Sequence, residues 1–376
     1  MMKRFNGIDT IRGFSMWLMI AGHLMDWWIK QEFYWHRLHC YAILEPIGSA
    51  AFLFVSGISA ALAYKTSLSR IEATDKSNLT RARNEYLLRA FFILVIAFLY
   101  NFLIGLFYEG TRSLWSWYVL QTIGFCLIFA WPLLKTSIYI RLILGFFILI
   151  ISPLLFGFLK LYEGQANFYG YSFYFLYHPE DQYTILSFFS IFLIGTVIGD
   201  ILFNLNAINN QNERKVKFKN NFIIPTIGIG GFLIIFGVLF MFPNFLIMRS
   251  LSSFIYALGI NLVSLSILIT IQEFQLITTR KSYKFLYYYS YYSFTIYLAH
   301  NLLFFLFSDL FNVYTIWITI VIVTTLLGVL LNFTYKKIGK NASLKAVIGI
   351  ISYELAKRIA IKSQYKFEKA KEIKVS

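Results

Sequence analysis

Residues 11–29 read Ile11-Arg12-Gly13-Phe14-Ser15-Met16-Trp17-Leu18-Met19-Ile20-Ala21-Gly22-His23-Leu24-Met25-Asp26-Trp27-Trp28-Ile29, a stretch long and apolar enough to span a bilayer. His23 lies inside it, and Asp26 follows one helical turn later. Ionisable side chains are costly in hydrocarbon, so a histidine and an aspartate on one face of an apolar helix point to a reaction or transport site.

Comparable stretches recur about ten times, near 11–29, 46–64, 87–107, 114–134, 139–159, 185–203, 222–242, 251–271, 285–307 and 313–333. The break inside 114–159 rests on Pro132, Lys135 and Arg141. Composition agrees: of 376 residues 58% are hydrophobic and only 14% charged, where a soluble domain has about a quarter charged. The first apolar stretch is long enough to span and has no small-residue cleavage site after it, so no cleavable signal peptide is expected. Cys40 and Cys126 are far apart and imply no disulfide framework. The fold class is therefore all-α: a polytopic membrane protein with about ten transmembrane helices in one bundle over residues 1–335.

A net charge of +16 raises the question of nucleic acid, but its distribution answers it. Lys3 and Arg4 precede the first span, and even-numbered loops carry Lys65, Arg70, Lys76, Arg81, Arg83 and Arg89, then Lys135 and Arg141. Arg214, Lys215, Lys217 and Lys219 follow, then Arg280, Lys281 and Lys284. Odd-numbered loops hold only Lys30, Arg37, Arg112, Lys160 and Arg249. By the positive-inside rule both termini are cytoplasmic, and the surplus charge is a topology signal rather than a nucleic-acid footprint. Residues 160–184 read as a Tyr- and Phe-rich external loop with Glu163, Glu180 and Asp181. Residues 336–376 form a basic cytoplasmic tail whose pattern over 343–374 is an amphipathic helix expected to lie on the anionic inner leaflet.

At 1.5 Å per residue His23 lies ~18 Å from Ile11, and His300 in the ninth span lies ~22 Å from Phe285, a similar depth. The two histidines can therefore line one cavity. His23 suits a general base or acyl acceptor, because imidazole takes and returns a proton near neutral pH. Asp26 would hold one ring nitrogen and fix the tautomer. The plain alternative is a histidine hydrogen-bonded across the bundle, and Tyr-rich neighbours could satisfy His300 in the same way. Arg12 either pairs with the helix-capping Asp9 or meets a phosphate at the positive end of the first helix. Arg81, Arg83 and Arg89 are positive-inside residues or phosphate ligands. His36-x-x-His39-Cys40 has metal-ligand spacing, but no second ligand pair with matching spacing follows it, so no metal is assigned.

These residues fall in a familiar order. Ile8-Asp9-Thr10-Ile11-Arg12-Gly13-Phe14, with His23 further along, resembles the opening signature of the heparan-alpha-glucosaminide N-acetyltransferase-like membrane proteins. Pro46–Ser59 resembles that family's second helix, and Arg89 opens the third. Trp117-Tyr-Val-Leu-Gln121-Thr-Ile-Gly124 resembles its G-x-L-Q-x-I-G helix without the first glycine, and Phe192–Gly199 and Tyr291–His300 resemble later helices. The resemblance spans roughly residues 5–335. It implies that acetyl-CoA binds from the cytoplasm, that the acyl group passes through the bundle, and that a sugar amine or hydroxyl beyond receives it. The family's first-helix histidine maps to His23. The large luminal N-terminal domain of the animal lysosomal enzyme has no counterpart in this sequence, so heparan sulfate is not the expected acceptor. Sugar O-acyltransferases of the membrane acyltransferase superfamily share the early Arg and His and the late Tyr-Leu-x-His pattern, which leaves N- and O-acylation both open.

The sequence thus predicts an acyltransferase using acetyl-CoA or another short acyl-CoA as co-substrate, without a metal. His23, Asp26 and His300 are its expected catalytic residues, and Arg12, Arg81, Arg83 and Arg89 its expected donor ligands. Expected partners are the acyl-CoA donor, a sugar or glycolipid acceptor and membrane lipids; a homodimer is left open, and nucleic acid is not expected. The location expected is the cell membrane. The rival reading is a proton-coupled transporter working through His23 and Asp26, although paired Gly/Pro-broken helices in matching halves are missing from the sequence.

Overall fold

The computed structural model describes residues 4–72, 77–104, 106, 117–177, 185–240, 244–247, 250–277 and 284–375. These residues are helical almost throughout. In chain order the helices are α1 (Asn6–Trp28), α2 (Tyr34–Glu72), α3 (Ser77–Ile104), α4 (Val119–Leu133), α5 (Ile138–Lys160), α6 (Phe168–Leu176) and α7 (Ile185–Asn206). After them come α8 (Gln211–Phe218), α9 (Ile224–Leu239), α10 (Leu251–Glu273), α11 (Phe285–Tyr291), α12 (Ser293–Ala299), α13 (Val313–Lys337) and α14 (Leu344–Val375). Among the described residues the single extended pairing is an isolated bridge between Ile29 and Phe311. The chain is an all-α polytopic membrane protein.

Each of the expected apolar stretches contains a helix. Among the described residues seven helices are long and apolar enough to cross a membrane by length and composition. Three stretches fall outside that set for physical reasons. Asp9, Arg12, His23 and Asp26 dilute the apolarity of α1; α4 has only 15 residues; and the ninth stretch is broken. That break has two parts: the helix interrupts at Tyr292 between α11 and α12, then tightens into a 3₁₀ segment over His300–Leu306. A 3₁₀ passage inside a helical stretch often marks a functional position.

Local chemistry sets several boundaries. Asn312 and Thr315 form a reciprocal capping box that starts α13, and Ser137 and Ser250 cap α5 and α10. The expected external loop 160–184 contains a helix instead, because the Asn167 side chain accepts from the Gly170 N–H and nucleates α6. Glu180 and Asp181, expected in the same loop, lie outside the described residues, as do His178, Lys3, Lys76, Arg112, Arg249, Arg280 and Lys281. The segment before the second apolar stretch is also helical: Tyr34–Leu44 contains neither Gly nor Pro, so α2 begins well ahead of residue 46.

Packing is closest where side chains are smallest. A Cβ at Gly57 of α2 would lie 2.1 Å from the Phe192 carbonyl oxygen, and one at Gly195 of α7 would lie 2.3 Å from that of Phe54. The two helices therefore meet backbone to backbone, as membrane helices do through small residues. Gly57→Leu is expected to force α2 and α7 apart and lower the thermal midpoint in micelles by many degrees. Gly228→Leu, at a position where a Cβ meets nothing within 4 Å, is expected to leave it unchanged. Equal midpoints for the two variants would contradict this packing.

Helix α1 runs through the centre, touching α2, α10, α11, α12 and α13. Its far end is held by the 308–312 turn, where Lys30 N–H donates to the Phe311 carbonyl and the Leu310 and Phe311 amides donate to that of Trp28. The tail makes a contact the sequence did not suggest. Its helix α14 does not simply lie on a leaflet: Ile348, Ser352 and Ala356 are buried against the bundle, and α14 packs on α3 and α12. Apolar residues one turn apart suit a protein groove as well as a lipid surface, and here α3 supplies the groove. Ile351 and Ile359 remain exposed on the other side.

Candidate active site

Two elements bring the histidines together. His23 projects from the central α1, and His300 sits where α12 tightens into its 3₁₀ segment, with ring centroids 4.9 Å apart. Trp27 stacks beside both rings, at 5.2 Å from His23 and 6.0 Å from His300. His300 is buried, and its Nδ1 lies 2.5 Å from the Tyr297 carbonyl. A carbonyl only accepts, so Nδ1 of His300 carries a hydrogen and its orientation is fixed. His23 is half-buried and lines a cavity of about 120 Å³ with Trp17, Cys40, Tyr41 and Trp317.

Asp26 does not hold the His23 ring. It is ion-paired with Arg37 of α2, which also lies over the rings of Tyr34 and Tyr41, and among the described residues no hydrogen bond joins it to His23. A charge-assisted bond to a guanidinium is stronger than one to a neutral imidazole, and α2 presents that guanidinium within reach. The expected orienting role of Asp26 is corrected accordingly: its carboxylate fixes α1 to α2.

A second cavity, of about 300 Å³, opens toward the end of the bundle where α1 begins. Arg12, Arg89 and Lys345 line it, and among the described residues Glu85 is the one acidic side chain on its wall. Arg12 is buried, donates to Ser59 Oγ at 2.5 Å and lies 3.5 Å from Asp9, which Arg4 also engages at 2.8 Å. Arg89 has only a loose contact to Glu85 at 3.8 Å. Repulsion from Arg12, with desolvation added, depresses the Lys345 ammonium to about 7. The two cavities lie in sequence along α1, and Phe52, Val119 and Tyr297 line both. A cationic chamber thus abuts a histidine chamber across a three-residue partition.

Residues 5–335 match the family model described as an acyltransferase domain. The chain belongs to this acyltransferase family. No curated protein matches it. The match runs from the start of α1 to the end of α13, so the membrane acyltransferase domain includes both histidines and the partition, while Lys345 lies beyond it.

Of the four arginines expected to face a donor, this acyltransferase brings two to the cationic chamber. Arg12 and Arg89 line it; Arg81 does not, its guanidinium lying over the Tyr353 ring of α14 at 5.4 Å, and Arg83 is exposed beside Asn84. Helical geometry explains the split: Ala82, Glu85, Tyr86 and Arg89 share one face of α3, and residues 81 and 83 point to either side of it. Sequence reasoning missed Ser59, Tyr297 and Lys345. Ser59 stood in the quoted Pro46–Ser59 motif without a role, and Tyr297 in the Tyr-Leu-x-His pattern, so both signals were present. His36 is occupied structurally, its Nε2 accepting from the Trp317 indole N–H at 2.9 Å.

Proposed function

We propose that this membrane acyltransferase moves an acetyl or short acyl group from acyl-CoA to an amine or hydroxyl of an external or membrane-linked sugar, in the manner of the heparan-alpha-glucosaminide N-acetyltransferase-like proteins. One observation carries the reading: the cavity lined by Arg12, Arg89 and Lys345 and the His23 chamber adjoin through a partition of Phe52, Val119 and Tyr297. The basic chamber lies on the side that the positive-inside rule makes cytoplasmic, where acyl-CoA is available. Arg12 and Arg89 bind donor phosphates, and the thioester reaches past the partition toward His23. The acceptor enters from the other end, against the flat rings of Trp17, Tyr41 and Trp317.

His23 is the catalytic residue in this scheme. As a general base it takes the proton from the acceptor amine or hydroxyl as that group attacks the thioester carbonyl. The C–S bond then breaks, and the coenzyme A thiolate departs and is protonated. As an acyl carrier, the imidazole itself attacks, releases the thiolate and passes the acyl group on. His300 is a positioning residue: fixed through Nδ1, it packs against the His23 ring. The same reading has the protein work in the cell membrane, with lipids around its apolar helices. Commitment of Asp26 to Arg37 weighs against a proton-coupled transporter that needs the His23–Asp26 pair.

Titration of detergent-purified protein with acetyl-CoA is expected to give saturable binding. Arg89→Ala is expected to weaken it by about tenfold, the scale of one charge-assisted contact. Folded protein that binds neither acetyl-CoA nor longer acyl-CoAs, yet moves a small solute across vesicles, would overturn the reading.

A further inference from the structure

We propose that Lys345, carried by α14 outside the family-matched domain, is a third cationic arm of the donor chamber and closes it over a phosphate group of the donor. The inference rests on the acyl-CoA reading for its ligand, and on geometry for its site. Lys345 opens into the chamber rather than into the packed core, across from Arg12 of α1 and Arg89 of α3.

The charges around it do not balance. From α1 and its approach come Arg4, Asp9 and Arg12; from α3 come Glu85 and Arg89. Asp9 is shared between Arg4 and Arg12, and Glu85 is in loose contact with Arg89, so among the described residues Lys345 has no ion-pair partner. Among the described residues Arg12, Arg89 and Lys345 line the chamber with one carboxylate, Glu85, so basic groups outnumber acidic ones there. Repulsion from Arg12, Arg89 and Arg4 lowers the Lys345 ammonium below its ordinary value, and an anion seated between these groups would restore its charge. Phosphate oxygens are the chemistry that three convergent cations from three helices recognise.

The face of α14 is shaped to this task. Lys345 and Gly349 are one turn apart, and a Cβ at 349 would lie 2.8 Å from Nη2 of Arg89, so the missing side chain leaves room for that guanidinium beside the helix. Burial of Ile348, Ser352 and Ala356 seats the same face on the bundle. Tyr291 and Thr295 fix its start: Ser343 Oγ donates to the Tyr291 carbonyl, and the Leu344 N–H donates to Thr295 Oγ1. Both belong to the broken stretch that also carries Tyr297 and His300, so α14 is tethered next to the partition.

The test uses the full chain in detergent, with coenzyme A and inorganic pyrophosphate as calorimetric probes and S-acetylpantetheine as a phosphate-free acyl donor. Lys345→Ala is expected to raise the Kd for coenzyme A by about tenfold, while Lys345→Arg stays within about threefold of wild type. Acyl transfer from S-acetylpantetheine is expected to be unaffected by Lys345→Ala, which a merely structural loss would not allow. Lys345→Gln keeps the length of the stem and replaces Lys345→Ala if the shorter variant fails to fold. Wild-type affinity for coenzyme A in folded Lys345→Ala or Lys345→Gln overturns the proposal and leaves the acyltransferase reading intact. Pyrophosphate binding that depends on Lys345, without any coenzyme A binding, keeps the anion site and overturns the acyl-CoA reading. Failure of the wild type to bind either probe overturns both.

Discussion

His23→Ala is expected to abolish acyl transfer, lowering turnover by about 10²–10⁴-fold, while acetyl-CoA binding stays within about twofold of wild type. The separation follows from the two chambers. The cations proposed to hold phosphates line one, and His23 lines the other, so on this scheme deleting the imidazole removes proton or acyl acceptance without touching the donor's charged end. His300→Ala is expected to fall between these limits, because His300 acts through its contact with the His23 ring and is itself buried. Single-turnover kinetics with radiolabelled acetyl-CoA check both variants. Unchanged turnover in folded His23→Ala would place the chemistry elsewhere.

Arg141→Ala is expected to be the most destabilising single change outside the site, costing about 3–5 kcal/mol. Arg141 of α5 is ion-paired with Asp200 of α7, their side chains only 1% and 5% exposed, and Lys65 approaches the same carboxylate at 3.8 Å. Truncating the arginine strands a carboxylate deep in the bundle beside one more distant ammonium. The pair is already incompletely satisfied: among the described residues Asp200 Oδ1 and Arg141 Nε and Nη1 have no hydrogen-bond partner. Hence the double variant Arg141→Leu with Asp200→Leu is expected to recover most of the loss, since it removes the desolvation cost along with the attraction. Unfolding midpoints in micelles measure the cycle. An Arg141→Ala midpoint equal to wild type would show that the pair contributes nothing.

The fold was legible in the sequence because hydrocarbon leaves few choices: apolar runs of spanning length read as helices, and each contains one. His23 and His300 were legible for the converse reason, as the histidines that interrupt such runs at matching depth. What escaped was whatever depends on a second helix. Asp26 looked like the partner of His23 because they share a face of α1, yet Arg37, eleven residues on and in α2, takes it. The arginines before the third span were indistinguishable as topology signals, and only the face shared by Ala82, Glu85 and Arg89 selects one of them for the chamber. Lys345 was invisible for a different reason. A basic amphipathic tail suits a lipid leaflet and a protein groove equally well, and only the docking of α14 on α3 shows that one of its faces meets protein.

Acyl transfer across a closed membrane tests the two-chamber mechanism most directly. Sealed, oriented proteoliposomes would receive radiolabelled acetyl-CoA on the face where α1 begins and a glucosamine- or glycolipid-type acceptor on the other. Label is expected on the far acceptor while coenzyme A stays on its own side, and His23→Ala is expected to stop the transfer. Folded wild-type protein that consumes no acyl-CoA, whatever the acyl length or acceptor, would contradict it.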